Sequence, residues 1–336
     1  MKRLISADWQ LADGARDRYR IDFVRQRLPK IIEKYKPDQL LVLGDICEEK
    51  DHHPASLVNE VVGCFHDLSK LCEVIILQGN HDFLDKENPF FAFLHRFDNV
   101  TWLLEPTVRA HQDDAGVLHK VLFLPHTRNY KKDWKDIDFK GFDLILAHNI
   151  FTGVNAANGH ALSGIPPSIF PKDAQVISGD VHEPQSFDCI TYVGSPFTVD
   201  FGDSFEPRVL MLDGKRRVSI KVGGQQKRVI TVDWDADVFH HPNTNPGDIV
   251  KFVVNLKMEH VAKWAEIRSL VEQWAHKRDY IVNSIQPVVA YVKGEGKIAA
   301  KYESKTDEQY IDSYANRLGI DKDTLSIGKK MLVELE

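Results

Sequence analysis

The stretch VIILQGNHD, residues 74–82, joins an apolar run to a polar turn. The run over residues 74–77 is typical of a buried strand, and the glycine that follows it opens a tight turn carrying Asn80, His81 and Asp82. Loops at strand ends are where a rigid scaffold usually places its chemistry. An amide oxygen can bind a metal, and an imidazole can bind a metal or transfer a proton. The stretch therefore predicts a functional turn, if other segments supply partners for it.

Four further apolar runs end in the same way. The side chains that follow the five runs can all bind a metal: Asp8 and Gln10 after 4–7, Asp45 after 39–43, Asn80 and His81 after 74–77, His148 after 143–147, and Asp180 and His182 after 175–178. A single Asp or Asn after a strand is usually a turn residue. Because ligands gather at the carboxyl ends of the strands in open α/β sheets, we expect the whole set to converge. Carboxylates, imidazoles and amides in this arrangement indicate a two-metal site.

Helical patterns separate the first three strands. Apolar residues recur at helical spacing over 17–35, where Pro37 ends the pattern, and again over 54–71. The order strand–helix–strand–helix–strand predicts an α/β core. A short helix is predicted over 90–97, and strand patterns then continue to residue 222.

A glycine-rich turn at 223–227 separates the rest of the chain from this core. Beyond it the patterns predict a small α+β module and then a polar helical segment from residue 306. The predicted elements of the module are strands over 229–232, 250–256 and 288–292 and a helix over 261–277.

The composition sets limits on the class of protein. The chain has 336 residues, 43% of them hydrophobic, and a formal net charge of −6, which argues against a protein that coats nucleic acid by charge alone. No apolar run approaches the ~20 residues needed to cross a bilayer. The four cysteines form no C-x-x-C pair, so we expect buried, reduced thiols rather than a zinc–cysteine site, in a cytoplasmic protein without a membrane partner.

The motif order Asp8-x-Gln10, Gly44-Asp45, Gly79-Asn80-His81-Asp82, His148 and Gly179-Asp180-x-His182 resembles that of the calcineurin-like metallophosphoesterases. Within that family the chain is most similar to the SbcD-type nuclease subunits of DNA repair and recombination complexes, including phage versions. Three segments carry the narrower resemblance: Leu124-Pro125-His126, His182-Glu183-Pro184-Gln185 and Tyr192-Val193-Gly194-Ser195-Pro196.

The resemblance implies a fold and a function. It implies a four-layer αββα sandwich over residues 1–223, a smaller α+β capping domain over 228–300, and a helical C-terminal tail over 306–336 that docks on an SbcC-like coiled-coil ATPase. The protein would be a DNA exo/endonuclease that depends on two divalent ions, most often manganese, with magnesium as the alternative. A homodimer in the cytoplasm, the host cytoplasm if a phage encodes it, is the implied assembly.

The resemblance also implies roles for individual residues. Asp45 would bridge the two metals. Two sets would complete the metal sites: Asp8, Gln10 and His182 on one side, and Asn80, His148 and Asp180 on the other. His81 would meet the scissile phosphate, and Asp82 would orient His81.

Two positions depart from the family pattern. Gln10 and Asp180 stand where histidines are usual, and each replaces a nitrogen ligand with an oxygen. An oxygen-rich site favours manganese or magnesium over zinc. The same substitutions could instead mark a decayed site, although the other metal-binding residues remain.

Two other functions compete with the nuclease. One is a metallophosphoesterase that acts on a small phosphoester or a phosphoprotein, and the other is a non-catalytic scaffold. The module and tail beyond the core argue against the first, because small-substrate relatives often need the core alone. The presence of His81 beside Asn80 argues against the second, because a scaffold has no use for that imidazole.

Overall fold

The structure is a computed structural model that describes residues 1–112, 115–156, 159–214, 216–234, 238–240 and 244–289. The predicted helical tail over 306–336 lies outside the described residues. The strands, in chain order, are β1 Lys2–Ser6, β2 Gln39–Leu43, β3 Glu73–Leu77, β4 Val100–Leu103, β5 Thr107–Gln112, β6 Leu118–Leu124, β7 Leu144–His148, β8 Val176–Gly179, β9 Gln185–Phe187, β10 Ile190–Tyr192, β11 Arg208–Asp213, β12 Arg216–Lys221, β13 Lys227–Asp233, β14 Val238–His240, β15 Ile249–Leu256 and β16 Ile281–Val289.

Two six-stranded sheets form the first part of the chain. The first has the order β12-β11-β1-β2-β3-β4, and the second has the order β5-β6-β7-β8-β10-β9. The neighbours β1, β2, β3 and β4 are parallel, as are β6, β7, β8 and β10, and antiparallel strands flank both groups. The parallel strands therefore place their carboxyl ends at one edge of each sheet.

The two sheets pack face to face around an apolar core. Ile5, Leu41 and Ile75 of the first sheet share this core with Phe123 and Leu146 of the second. The alternate residues of the first sheet pack on its outer face with the helices, and the second sheet has a separate outer core. Because side chains alternate across a strand, the continuous apolar runs of the sequence are those expected of strands buried on both faces. The predicted α/β sandwich is confirmed.

The helical region predicted as one helix over 17–35 is interrupted. It consists of α1 Arg18–Asp22, a π-helical turn Phe23–Arg27 and α2 Leu28–Tyr35. Proline has no N–H to donate and clashes with a preceding carbonyl, so Pro29 cannot continue a regular α-helix, and the chain widens just before it. The next helix, α3 Ala55–Ser69, matches its prediction closely.

The remaining helical segments of the sandwich are short. They are the 3-10 helices Phe90–Arg96 and Pro167–Ile169 and the single turn α4 Tyr130–Asp133. Residues on or beside α4 and Pro167–Ile169 pack on the outer core of the second sheet, so both sheets carry helical segments on their outer faces.

A third sheet, with the order β14-β13-β15-β16, follows the sandwich. The 3-10 helix Met258–Lys263 leads into α5 Trp264–His276, which buries Ile267 and Val271 against this sheet. Strand β16 begins well before the predicted start at residue 288. Pro287 and the polar residues before it hide the strand pattern. The structure tolerates this proline because β16 lies at the edge of the sheet that the described strands form.

The cysteines and the helices bear on two further expectations. All four cysteines are free, but burial is complete only for Cys47 and Cys64, whereas Cys72 and Cys189 are partly exposed. Burial raises the pKa of the Cys64 thiol to about 12. Among the described residues, no helix has the length and apolar character that a membrane span requires.

Candidate metal centre

Backbone hydrogen bonds hold the loops after β1 and β2 together. The N–H of Asp8 donates to the carbonyl of Gly44 at 3.1 Å, and the N–H of Gln10 donates to the carbonyl of Asp45 at 3.0 Å. The two loops leave adjacent parallel strands, so these bonds continue the pairing of the strands into the site. The candidate ligands on them are therefore fixed relative to each other by the sheet.

The structure brings three predicted ligands into one buried cluster. Ligand atoms of Asp8, Asp45 and His148 all lie within 4.8 Å of one another. Two more join it through His148 Nε2, which lies 2.9 Å from Asn80 Oδ1 and 3.9 Å from Asp180 Oδ1. The N–H of Asp180 donates to Asp8 Oδ1 at 2.9 Å, which ties the fifth strand end to the first. Side chains from five strand ends thus meet at one point.

Two buried oxygens of this cluster have no hydrogen-bond partner among the described residues. They are Asp8 Oδ2 and Gln10 Oε1. Gln10 Nε2 donates to Asp45 Oδ2 at 2.8 Å, so the amide is held with its oxygen free. Leaving buried polar atoms unpaired costs free energy, and an unseen ion is a usual explanation for them. Oxygens of this kind beside an imidazole fit a divalent cation.

The orientation of His148 suits a metal ligand. Its Nδ1 lies 2.6 Å from the carbonyl oxygen of Leu43, and because a carbonyl can only accept, Nδ1 carries a proton. Metal-binding histidines commonly have their other nitrogen fixed by a carbonyl or carboxylate in this way. Nε2 is then the atom that faces the carboxylates, 3.3 Å from Asp45 Oδ1.

The charges of the cluster are strongly coupled. Burial would lower the pKa of His148, but the carboxylates of Asp45, Asp180 and Asp8 raise it well above its usual value. Burial would raise the pKa of Asp45, but His148 and His81 lower it to about 2. Asp45 therefore stays ionised, and the oxygens that attract a proton to His148 are those that would hold a cation.

The pKa values of the other two carboxyl groups, those of Asp8 and Asp180, are raised rather than lowered. Burial raises the pKa of Asp8 well above its usual value, and the neighbouring Asp45 adds to the effect. Burial also raises the pKa of Asp180, although the charges on His148 and His182 partly offset this. Carboxylates that are costly to ionise in the folded protein are stabilised by a bound cation.

Backbone strain is concentrated in the same cluster. Of the eight non-glycine residues with positive φ among those described, four are candidate ligands: Asp8 at 54°, Gln10 at 42°, Asp45 at 56° and Asp180 at 81°. Each such residue costs roughly 1–3 kcal/mol, and these conformations gather at functional sites. The strain supports a functional rather than a turn-forming role for these four residues.

The glycines of the motifs are needed for close approach. A Cβ on Gly79 would lie 2.5 Å from the backbone nitrogen of Asp45 and 2.9 Å from Cε1 of His148. Gly44 has φ +81°, and a Cβ there would lie 2.7 Å from Cα of Gly79. Any other residue at either position would push the ligand loops apart.

The structure assigns Asp82 a different role from the one predicted. Its carboxylate accepts hydrogen bonds from the N–H groups of Asp45, Ile46 and Gly79, at 2.9, 2.9 and 2.6 Å. The imidazole of His81 is not among its partners. Asp82 therefore positions the loop that carries Asp45 rather than the ring of His81. Burial, reinforced by Asp45, raises the pKa of Asp82 to about 6 despite these bonds.

His81 is held by two other groups. Its N–H donates to Asp45 Oδ1 at 2.8 Å, and its Nδ1 lies 2.6 Å from the carbonyl oxygen of Glu48. Since a carbonyl oxygen only accepts, Nδ1 carries a proton and donates a hydrogen bond to the backbone carbonyl of Glu48. Nε2 makes no hydrogen bond within the described part of the chain.

The sequence interpretation missed the pair that fixes Glu48. Arg20, which is 2% exposed, donates through Nη1 to Glu48 Oε2 at 2.6 Å and to the carbonyl of Gln10 at 2.5 Å. It thereby links the strand end that carries Gln10 to the residue that orients His81. A signal was present, because Arg20 lies four residues before Val24 and eight before Leu28, on the apolar stripe of the helical pattern.

His182 lies close to the cluster, and its assignment as a ligand stays a prediction. Its carbonyl accepts from the N–H of Ser195 at 2.9 Å, which holds the loop after β8. Its charge acts on the pKa of Asp180, so the imidazole is near that carboxyl. The described contacts do not join it to Asp8 or Gln10, with which it was grouped.

His126 is a further imidazole against the site. Its N–H donates to the carbonyl of Gln78 at 2.9 Å, and its ring lies 6.1 Å from that of His148. Burial and the charge of His148 lower the pKa of His126 to about 4. His126 is therefore a neutral group beside the cluster.

Carboxylates, an amide and an imidazole that meet at the carboxyl ends of an α/β sandwich define a metal-dependent hydrolase site. The calcineurin-like phosphoesterase family matches residues 1–184 of the chain. The chain belongs to this family, which implies a metal-dependent hydrolase of phosphoesters.

Other comparisons give weaker likenesses. Among solved structures, the phosphoesterase Yfce from E. coli is 14% identical, with 66% of this chain and 100% of that chain covered and a TM-score of 0.35. A dimetal phosphatase from Danio rerio is 12% identical, with 66% and 99% covered and a TM-score of 0.39. No match was found among curated proteins. The assignment therefore rests on the family match.

Proposed function

We propose that the protein is a two-metal-dependent DNA nuclease that hydrolyses phosphodiester bonds. The observation that carries a metal-dependent reaction is a pair of buried oxygens, Asp8 Oδ2 and Gln10 Oε1, beside Asp45 and His148. Neither oxygen has a hydrogen-bond partner among the described residues. Asp8, Gln10, Asp45, Asn80, His148, Asp180 and His182 would hold the ions. Two bound ions would stabilise charge on both the attacking and the leaving oxygen of a phosphoryl displacement.

The protein's own groups then have defined tasks. His81 presents Nε2 to the scissile phosphate, where a protonated ring donates a hydrogen bond to a phosphate oxygen or the proton to the leaving oxygen. Glu48 holds the opposite nitrogen of that ring, and Arg20 holds Glu48. Asp82 keeps Asp45 in place through the backbone. Manganese is the proposed metal, because oxygen ligands outnumber imidazoles in this set.

The segments that carry the nuclease resemblance support DNA as the substrate, since all three lie against the candidate ligands. Ser195 of one segment bonds to His182 of another, and a Cβ on Gly194 would lie 2.6 Å from Cγ of Pro184. The third segment contributes His126, whose Nδ1 lies 3.3 Å from the carbonyl oxygen of His148.

The third sheet contacts the region that supports the site. Lys227 of β13 forms an ion pair with Asp17 at 2.8 Å, and Asp17 also pairs with Arg20 at 2.9 Å. Arg16 donates to Asn283 of β16 at 2.6 Å. We propose that this sheet caps the nuclease domain, that residues 306–336 dock on a coiled-coil ATPase, and that the active form is a cytoplasmic homodimer.

One experiment tests the nuclease directly. The protein is incubated with linear DNA, closed circular DNA and a generic phosphodiester, in manganese or in chelator. We expect manganese-dependent cleavage of DNA, reduced by about 10²–10⁴-fold in His81→Ala, the range for loss of a general acid. His52→Ala is the matched control, because His52 is an exposed histidine on the loop after Asp45.

The other outcomes separate the alternatives. Cleavage of the small ester alone favours the small-substrate phosphoesterase. The family match supports that function as well as it supports a nuclease. No turnover of any substrate favours the scaffold. Full activity with zinc and none with manganese would overturn the proposed metal.

A further inference from the structure

A cavity lies at the opposite edge of the sandwich from the metal centre. It has a volume of about 670 Å³ and is lined in part by Arg3, His111, His119 and Arg217. A second cavity of about 360 Å³ adjoins it and shares Arg3 and His111. Arg3 lies near the amino end of β1, whereas Asp8 follows the carboxyl end of the same strand. The two sites are therefore separate.

Arg3 is a buried cation without a carboxylate partner among the described residues. It is 9% exposed. Its Nε donates to the amide oxygen of Gln39 at 3.1 Å, and its Nη2 lies 3.2 Å from the sulfur of Met1 and 3.3 Å from Nδ1 of His111. All of these partners are neutral or weak acceptors. A buried charge is usually paired directly, so a guanidinium that faces a cavity without an ion pair has room for a closer counter-ion than the carboxylates that act on it from farther away.

Arg217 faces the same cavity with neutral partners. Its Nη1 donates to the hydroxyl of Thr191 at 2.9 Å. With the amide of Gln175 in its favourable orientation, Nε and Nη2 both donate to that oxygen at 2.8 Å. An amide accepts here in the bidentate geometry that a carboxylate usually provides. Burial lowers the pKa of both arginines, and for Arg3 the charges of Asp38, Asp143 and Glu73 offset only part of this effect.

His111 and His119 add hydrogen-bond donors to the lining of the cavity. Their rings stack with centroids 5.2 Å apart. Because Arg3 can only donate, Nδ1 of His111 accepts, and the proton of His111 is on Nε2. His119 pairs with Asp143 at 3.3 Å.

Carboxylates also line the cavity, but none of them forms an ion pair with either arginine within the described part of the chain. Asp143 accepts from the N–H of Lys120 at 2.8 Å and from His119. Asp173 and Asp213 are exposed, and neither forms an ion pair with Arg3 or Arg217 within the described part of the chain. The lining therefore combines two arginines that form no ion pair among the described residues with three exposed carboxylates.

We propose that this cavity binds a small organic anion, a molecule that carries a phosphoryl or carboxylate group and is about the size of a mononucleotide. Arg3 and Arg217 bind the anionic group, and His111 adds a neutral donor. The apolar side chains Phe142, Leu144 and Leu212 in the lining receive the organic part. The volume lies within the range of small-molecule sites, about 300–1,000 Å³. The proposal does not depend on the nuclease function.

Calorimetric titration of the full chain tests this site. AMP, inorganic phosphate and citrate are titrated in chelator, so that no probe binds through a metal at the other edge, and adenosine serves as the uncharged control. We expect AMP to bind and adenosine not to bind. Binding of citrate in place of AMP identifies a carboxylate ligand, and binding of phosphate alone identifies a site smaller than proposed.

Arginine variants give the decisive comparison. Arg217→Gln, on an exposed strand, is expected to weaken the binding of the active probe about tenfold or more, the loss expected for a charge-assisted hydrogen bond. Arg3→Gln is expected to do the same where it folds. Arg109→Gln is the matched control, because Arg109 lines the adjoining cavity but is paired with Glu73 at 2.7 Å.

Two results would overturn the proposal. One is that no anionic probe binds the wild-type chain. The other is that Arg217→Gln and Arg109→Gln bind the probe with the affinity of the wild type.

Discussion

The two edges of the sandwich differ in the sign of the charged groups that gather there. At the carboxyl ends of the strands, Asp8, Asp45 and Asp180 surround His148. At the amino ends, Arg3 and Arg217 face a cavity with neutral partners. Each edge holds groups without a direct partner among the described residues: Asp8 Oδ2 and Gln10 Oε1 accept no hydrogen bond, and Arg3 and Arg217 form no ion pair. Such groups are costly where they are buried. The sign of the uncompensated group indicates the sign of the ligand, which is a cation at one edge and an anion at the other.

Removing one carboxylate should produce the largest effect. Asp8→Asn keeps the shape of the side chain and removes its charge, so we expect phosphoesterase activity in manganese to fall by at least about 10²-fold, since loss of groups that merely support a metal ligand already costs 10–100-fold. In chelator the variant should melt at a higher temperature than the wild type, because burial opposes the ionised carboxylate.

Activity and thermal melting are measured on the same samples. Asp13→Asn, an exposed aspartate on the loop after the same strand, is the control and should change neither quantity. If Asp8→Asn melts at the same or a lower temperature in chelator and keeps its activity, the carboxyl-end cluster is not built for a cation.

Adding manganese is expected to have the next largest effect, which is an increase in the free energy of unfolding. A ligand at 100 times its Kd stabilises the native state by about 2.7 kcal/mol. We expect manganese to raise the melting temperature and EDTA to reverse the change, with a much smaller rise in Asp8→Asn. Calcium serves as a control for charge, because Ca²⁺ prefers six to eight oxygen ligands. A melting temperature that does not respond to manganese or magnesium would contradict the assignment of the carboxyl edge.

The contact between Arg20 and Glu48 should have an intermediate effect. Glu48→Ala removes the carboxylate that Arg20 holds, while the backbone carbonyl that orients His81 remains but is less firmly placed. We expect kcat to fall about tenfold, at the low end of the range for groups that orient active residues, with KM and the metal-induced rise in melting temperature unchanged.

Two variants make this test specific. Glu48→Gln keeps an acceptor for Arg20 and should restore most of kcat. Glu49→Ala removes the adjacent exposed carboxylate and should have no effect. An equal loss in Glu48→Ala and Glu49→Ala would show that general charge, rather than the position of His81, explains the result.

Local patterns were sufficient for the strands that carry the candidate ligands, although not for β4, β9 or the start of β16. The run 39–43 coincides with β2, and the buried apolar runs place Asp8, Asp45 and His148 at strand ends. This worked because strands buried on both faces are continuously apolar, and because parallel strands bring their carboxyl ends together.

The rest depends on contacts between distant residues. The sequence does not show that Asp82 bonds to the backbone around Asp45, since the two lie 37 residues apart, nor that Leu43 fixes the proton of His148, 105 residues away. Pro29 is a local signal for the interruption of the helix, but the helical spacing of the apolar residues on both sides predicted one continuous helix. The cationic cavity gave no motif, because its residues come from separate strands.

Replacing Arg3 should have the smallest effect. Its comparison with Arg20 tests whether a buried arginine without an ion pair differs in stability from a paired one. Arg3 and Arg20 are both buried, at 9% and 2% exposure. Arg20 pairs with Asp17 at 2.9 Å and Glu48 at 2.6 Å, whereas Arg3 has neutral partners.

Methionine keeps an unbranched stem that can pack in place of the arginine stem. We expect Arg3→Met to change the free energy of unfolding by less than about 1 kcal/mol, because relief of the buried charge offsets the lost hydrogen bonds. Arg20→Met should cost about 2 kcal/mol or more, because it leaves the buried carbonyls of Gln10 and Val199 without their donor, at about 1–3 kcal/mol for each. Urea denaturation in chelator measures both. A loss in Arg3→Met as large as that in Arg20→Met would mean that Arg3 is compensated within the fold, and the amino-end cavity would then have no need of an anion.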